Sequence, residues 1–247
     1  MNQVTGTIFD IFRDKTTVTR REIESYFRSL DPDATDESIR KRISRYKQSG
    51  KLVSVKRGVY AVSNRPVYKH PDDSFANKLG KLFSQKFAEI DYCIWSSAWL
   101  YSFTVHQPSQ YFYLFETERD MLETSFNFLR DHGTNVWLDP DEDTMQLYVA
   151  GKRNAVVVKP LVKRAPLVKN GPIVYPSLEK MIADAYIDKH LFYFLQGNEL
   201  QNVYRFAFNK YSINYTKLIN YARRRGREDD IIDFVKKNVT ADYLYDK

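Results

Sequence analysis

The sequence predicts an α/β (α+β) chain in two unequal parts. An N-terminal winged helix-turn-helix precedes a larger mixed α/β part that ends in helices. Three observations carry that expectation. Residues 35–62, TDESIRKRISRYKQSGKLVSVKRGVYAV, read as a cation-studded helix that stops at Gly50, then two short strands turning over Lys56-Arg57-Gly58. The basic excess is concentrated at that end: residues 1–65 hold fourteen Lys and Arg against eight Asp and Glu, a net of +6 in a chain whose total is +7. Beyond residue 75 strand-like and helix-like runs alternate, and the pattern turns helical from Pro176 onward.

Ile8, Ile11 and Phe12 fall at i, i+3 and i+4, the apolar stripe of a first helix, and Thr17-Val18-Thr19 breaks it. Thr19 and Glu22 have capping-box spacing, so a second helix starts there and runs through Tyr26 and Phe27 to about Leu30. Asp31-Pro32-Asp33 is a turn. Thr35 caps a third helix whose first turn holds Asp36 and Glu37, the sign of charge that the helix dipole favours. Gly50 suits the residue just past a helix end, and Leu52-Val53-Ser54-Val55 and Val59-Tyr60-Ala61-Val62 suit a hairpin.

On the third helix Ile39, Ile43 and Tyr46 share one stripe and should face the first two helices. At 100° per residue the opposite face carries Glu37, Lys41, Ser44, Arg45 and Gln48. A cationic helix beside a cationic hairpin suits a DNA major groove and its flanking phosphates. Lys41, Arg45 and Gln48 are then candidates for base edges, with Ser44 small enough for close approach. Arg40, Arg42 and Lys47 flank the stripe within reach of the sugar-phosphate walls, and Lys56 and Arg57 project from the wing tip. The bland alternative is a basic surface or a protein-docking winged helix.

Residues 65–75, with Pro66, Pro71 and the polar Asp72-Asp73-Ser74, read as a linker between domains at 1–64 and 76–247. In the second part Ala76–Phe87 and Met121–Leu129 read as helices. Tyr111–Phe115, Val136-Trp137-Leu138, Met145–Val149 and Ala155–Val162 read as strands, around the aromatic run DYCIWSSAWLYSF. Ser177 is a candidate N-cap ahead of Leu178, Met181, Ile182 and Ala185. Leu191–Phe208, Tyr215–Ala222 and Asp229–Val239 continue as helices. Aromatic residues make up 15% of the chain; most are expected in the core, with a minority on a partner surface.

Catalytic signatures are thin, and the expectation is a chain that is not an enzyme and needs no cofactor or metal. His70, His106, His132 and His190 show no ligand spacing with each other or with Cys93. Gly133 and Gly151 stand alone, so no loop cradles a phosphate, and Ser96-Ser97 lacks a glycine-flanked elbow. Glu116 and Glu118 should alternate outward from a strand, and Asp139, Asp141, Glu142 and Asp143 resemble a solvated acidic turn. Asp184 and Asp188, one helical turn apart beside Lys189, read as surface pairing. Arg223-Arg224-Arg225-Gly226-Arg227 reads as a solvated helix end, or else as a second contact for nucleic acid or an acidic partner. No apolar run is long enough for a membrane span and no secretory signal is visible. With a single cysteine, a cytoplasmic setting is expected.

Three segments together resemble the AbiEi-type antitoxins of type IV, abortive-infection toxin–antitoxin systems: SGKLVSVKRGVYAV at 49–62, SSAWLYSF at 96–103 and YPSLEKMIADAY at 175–186. The similarity is loose over nearly the full chain. Where that family usually has Ala-Leu followed by a small Gly-Leu element, this chain has Ala98-Trp99-Leu100-Tyr101-Ser102-Phe103. The resemblance implies an N-terminal domain that binds double-stranded operator DNA and represses its own operon. It also implies a C-terminal part that counters a cognate nucleotidyltransferase toxin, with or without touching it. The DNA role would fall on Arg40, Lys41, Arg42, Ser44, Arg45, Lys56 and Arg57. Two other readings stay open: a regulator whose C-terminal part senses a ligand or a protein, and a metal-dependent nuclease using Glu116, Glu118 and Asp139.

Overall fold

Thr19 decides where the first long helix begins. Its hydroxyl accepts from the Glu22 amide, and the Glu22 carboxylate accepts from the Thr19 amide at 2.7 Å, closing a capping box. Lys15 and the Thr19 amide hold the Glu22 carboxyl well below its ordinary value, at about 2. In the computed structural model, which describes residues 8–12, 15, 17–63, 65–149 and 151–239, helix α2 (Arg20–Leu30) follows α1 (Ile8–Ile11) and β1 (Val18–Thr19). The expected domain ends at 64 and 247 and the opening residues 1–7 lie outside the described residues.

Helix α3 (Asp36–Gln48) starts at Thr35, whose hydroxyl accepts from Ser38 N at 3.2 Å. Strands β2 (Leu52–Lys56) and β3 (Val59–Val62) close an antiparallel sheet in the order β1-β3-β2. Ile8, Ile23, Phe27, Ile39, Ile43, Leu52 and Tyr60 form the core of this part. Ile11 does not join them and is 41% exposed. With α1 a single turn, Ile8 and Phe12 at i and i+4 take the inward positions.

The second part opens at α4 (Ser74–Lys86), two residues earlier than expected, because the Asp73 carboxylate accepts from Phe75 N and Ala76 N at 3.1 and 3.0 Å. Then come β4 (Tyr92–Ser96), a 3-10 helix at Ser97–Phe103 that uses the aromatic run, β5 (Tyr113–Thr117), α5 (Leu122–Asp131) and β6 (Val136–Leu138). After α6 (Glu142–Thr144), β7 (Val156–Pro160) enters between β5 and β6. The sheet order is β4-β5-β7-β6, with β5, β7 and β6 parallel and β4 antiparallel at one edge. A separate hairpin, β8 (Leu167–Asn170) and β9 (Ile173–Pro176), leads into α7 (Leu178–Ile187), α8 (Asn198–Lys210), α9 (Tyr215–Arg224) and α10 (Glu228–Asn238). The fold class is mixed α/β.

Three local expectations are corrected. Met145–Val149 is a wide π-helical turn, not a strand. Asp141 starts a helix by accepting from Thr144 N at 2.9 Å, and burial of Met145 and Val149 alone satisfies an i, i+4 pattern. Residues 191–208 are not one helix: a short 3-10 turn at Tyr193–Leu195 precedes α8, and Gly197 at φ 66° makes the break. The β8–β9 hairpin, absent from the expected elements, pairs Asn170 with Ile173 and turns over Gly171-Pro172, with Gly171 at φ 60°.

The two parts are packed together. Ser212 donates from its amide to Pro66 O at 2.9 Å and from its hydroxyl to Gly50 O at 2.8 Å. Tyr68 meets Tyr211 edge-on and His70 donates from Nε2 to Pro176 O at 2.7 Å, so the segment at 65–73 lies against the second part. Leu52 and Tyr60 face α2 and α3, while Val53, Val55 and Ala61, on the other side of the sheet, form a separate buried strip. Helix α9 runs against β2, and the Thr216 hydroxyl lies 3.1 and 2.9 Å from the carbonyls of Ser54 and Val55. Among the described residues no helix is long and apolar enough to cross a membrane.

Candidate nucleic-acid interface and a buried ionic core

Burial of Ile39 and Ile43 turns the opposite face of α3 to solvent, and Arg40, Lys41, Ser44, Arg45, Lys47 and Gln48 are all exposed. Their surroundings differ. Lys41 pairs with Glu37 at 2.7 Å across one helical turn, an exposed contact of small energetic worth. Arg42 is half-buried, bonded to Asp31 at 3.0 Å with its guanidinium 5.7 Å from the Phe27 ring centroid, so it is partly spent on joining α3 to α2. Lys47 lies 5.9 Å from the Tyr60 ring centroid. Among the described residues the side chains of Arg40, Arg45 and Gln48 have no protein partner.

The hairpin tip adds Lys56 and Arg57, both exposed and likewise without a partner among the described residues. Gly58 at φ 76° makes the turn, and the register shifts between Ser54 and Lys56. The Gly58 carbonyl accepts from Arg20 N at 2.7 Å, which brings the first turn of α2 to the same tip. Arg20 therefore joins this cationic edge, pairing with Glu24 at 2.6 Å. Sequence reasoning passed over it, because only the β1–β3 pairing places it there.

Gly50 holds the helix-to-strand corner. Its φ is 73°, and a Cβ there would sit 2.7 Å from Val67 Cγ2 and 3.1 Å from Ser212 Cβ. Only glycine fits where α3 turns into β2 against the second part.

The second feature is a buried ionic core in the larger part. Lys180, fully enclosed on α7, donates to Glu116 Oε1 and Asp184 Oδ2, each at 2.5 Å. Arg225 bonds Asp184 Oδ1 at 2.7 Å and Asp188 Oδ1 at 2.6 Å, and Lys159 bonds Asp188 Oδ2 at 2.5 Å. Tyr221 and Trp95 add neutral donors, to Asp184 at 2.8 Å and to Glu116 at 3.1 Å. Three cations meet three carboxylates. Burial would raise the Asp188 carboxyl, but Lys159 and Arg225 outweigh it and hold it near 2. Burial likewise disfavours charge on Lys180, and Asp184 and Glu116 outweigh it, so its ammonium loses its proton only well above the usual range.

Three sequence expectations are corrected by this core. Glu116 does not point outward: it is 1% exposed, and its Oε2 has no hydrogen-bond partner. Asp184 and Asp188 are not surface residues, since both carboxylates close ion pairs inside the fold. Arg225 leaves the solvated run, whereas its neighbours stay outside, Arg223 pairing with Glu228 and Arg227 with Asp230. A signal was present: Lys180 and Asp184 sit at i, i+4 in LEKMIADAYI, a helix in which Glu179 is the one other charged residue and which is buried on nearly every side. Glu118, by contrast, is half-buried and accepts from Asp91 N at 2.9 Å, and Asp139, Asp141, Glu142 and Asp143 are exposed.

A family profile matches residues 38–241, from the first turn of α3 through α10. The chain belongs to DUF6577, a family of unknown function. The DUF6577 range thus contains nearly all of α3, the hairpin and the whole ionic core, while α1 and α2 precede it. No curated protein matches the chain.

Proposed function

We propose that this DUF6577 chain is a cytoplasmic DNA-binding transcriptional autorepressor. Its α3 enters the major groove of operator DNA, and Lys56 and Arg57 clamp the adjacent backbone. One observation carries the reading. Arg40, Arg45 and Gln48 on the outer face of α3, and Lys56 and Arg57 at the hairpin tip, are exposed with no protein partner among the described residues. The order α1-β1-α2-α3-β2-β3, with β3 central in its sheet, supports reading this part as a winged helix. Arg45 and Gln48 read base edges; Arg40, Arg42, Lys47, Lys56 and Arg57 position the duplex. Lys41 and Ser44 complete the face.

The antitoxin role, countering a nucleotidyltransferase toxin, is proposed on the resemblance of residues 49–62, 96–103 and 175–186 to AbiEi-type antitoxins. Fluorescence anisotropy on DNA from upstream of the chain's own gene tests the DNA half. With about six phosphates neutralised, log affinity against log salt should slope near −5. No uptake in dilute buffer, or a slope near zero, ends the proposal. For the toxin half, co-expression with the neighbouring gene product should rescue growth or give a complex. Failure of both discards it.

A further inference from the structure

Strands β5 and β7 run parallel, so both finish at one edge of the sheet, and β4 begins there. Parallel sheets bind ligands beyond the carboxyl ends of their strands. At that edge lies a cavity of about 1090 Å³, lined by Arg119 after β5, by Lys163 and Arg164 after β7, and by Arg224 and Arg225 at the end of α9. It is large enough for a nucleotide-sized molecule.

The cations differ in availability. Arg225 is held by Asp184 and Asp188 and forms a fixed wall. Arg119, Lys163 and Arg164 are exposed, and among the described residues their side chains have no partner. Arg164 occupies the left-handed region at φ 56°, a conformation costly for any residue that carries a Cβ and concentrated at functional sites. Its carbonyl accepts from Arg224 Nη1 at 3.0 Å, which pins the loop to α9 and leaves the remaining Arg224 donors free to turn inward. Asp91, Glu118 and Asp120 also line the cavity, yet none pairs with these cations; Glu118 is turned to the Asp91 amide. Guanidinium groups suit phosphate oxygens, the carboxylates suit hydroxyl or amino donors, and Leu161 and Leu167 offer an apolar wall.

We propose that this cavity binds a nucleotide, its phosphates on Arg119, Arg164 and Arg224, and that α9 carries the binding event to the hairpin. One end of α9 holds the cavity through Arg224. The other holds β2 through the Thr216 hydroxyl at the Ser54 and Val55 carbonyls. A single helix of ten residues joins the two, which lie eight residues and so about 12 Å apart along its axis. Only the consequence for DNA affinity rests on the function proposed above; the binding site stands without it.

Isothermal titration of the full chain with ATP, GTP and inorganic tripolyphosphate in low salt tests the site. One molecule should bind per chain, with at least one nucleotide tighter than tripolyphosphate. The exposed pair R119A/R164A should weaken binding about tenfold or more, as expected for lost charge-assisted hydrogen bonds. R45A/R57A should change nothing. Absence of saturable binding overturns the site, as does binding that survives R119A/R164A but disappears in R45A/R57A. Nucleotides no tighter than tripolyphosphate overturn the nucleotide assignment. For the coupling, amide exchange in residues 52–56 should slow on nucleotide binding, and T216V should remove that response with affinity kept. An unchanged exchange rate refutes the coupling whether or not the chain binds DNA.

Discussion

Replacing Lys180 by Met isolates the electrostatics of the buried core, because the substitution keeps most of the side-chain volume. Asp184 retains Arg225 at 2.7 Å and the Tyr221 hydroxyl at 2.8 Å. Glu116 keeps only the Trp95 indole N–H, at 3.1 Å, with its other oxygen already unpartnered. A carboxylate stranded in this way costs about 3–5 kcal/mol, a large share of the roughly 5–15 kcal/mol by which domains are stable. Adding Glu116→Gln removes the stranded charge and keeps an acceptor for Trp95, so the double variant should return to within about 2 kcal/mol of the parent. Urea unfolding followed by tryptophan fluorescence reads the cycle as a shift in midpoint at constant slope. A Lys180→Met cost below about 1 kcal/mol, or a double variant as unstable as the two singles summed, would refute the view that the core is held by mutual charge compensation.

Other consequences follow from named contacts. Asp188 is held near 2 in the fold against an ordinary 3.8, so its contribution, about 2 kcal/mol, is present above pH 4 and drains away as pH falls toward 2. Acid titration of stability should be shallower in Asp188→Asn. Gly50→Ala forces a side chain into φ 73° and against Val67, and thermal unfolding should show a loss of about 2–3 kcal/mol. On DNA, Arg45→Ala should cost about 1–3 kcal/mol and relax sequence preference, whereas Arg57→Ala should weaken all duplexes alike. Identical behaviour in a competition binding assay would contradict the division of labour.

What could be read from the sequence was local. Thr19 with Glu22, Thr35 and Gly50 each act within a few residues of their own position, and each lies where capping and turn chemistry place it. The outer face of α3 followed from helical period once Ile39 and Ile43 were assigned inward. Glu116 was misplaced because strand alternation presumes one wet face, and β5 lies between two neighbours in a sheet whose residues there are buried on both sides. Asp188 and Arg225 meet across 37 positions of chain, and no periodicity reports that. Met145–Val149 differs from the expected strand because five residues, Met-Gln-Leu-Tyr-Val, are too few for periodicity to separate strand from helix.

The strip of Val53, Val55 and Ala61 shows how the chain can be dissected. Cutting after the β2–β3 hairpin would uncover these residues and the backbone edge that Thr216 satisfies. An isolated N-terminal fragment would then carry a bare apolar strand of the kind that recruits other chains. The N-terminal unit is therefore a poor candidate for grafting onto other effectors. Fragments meant to bind on their own need α9, or a polar replacement for that strip.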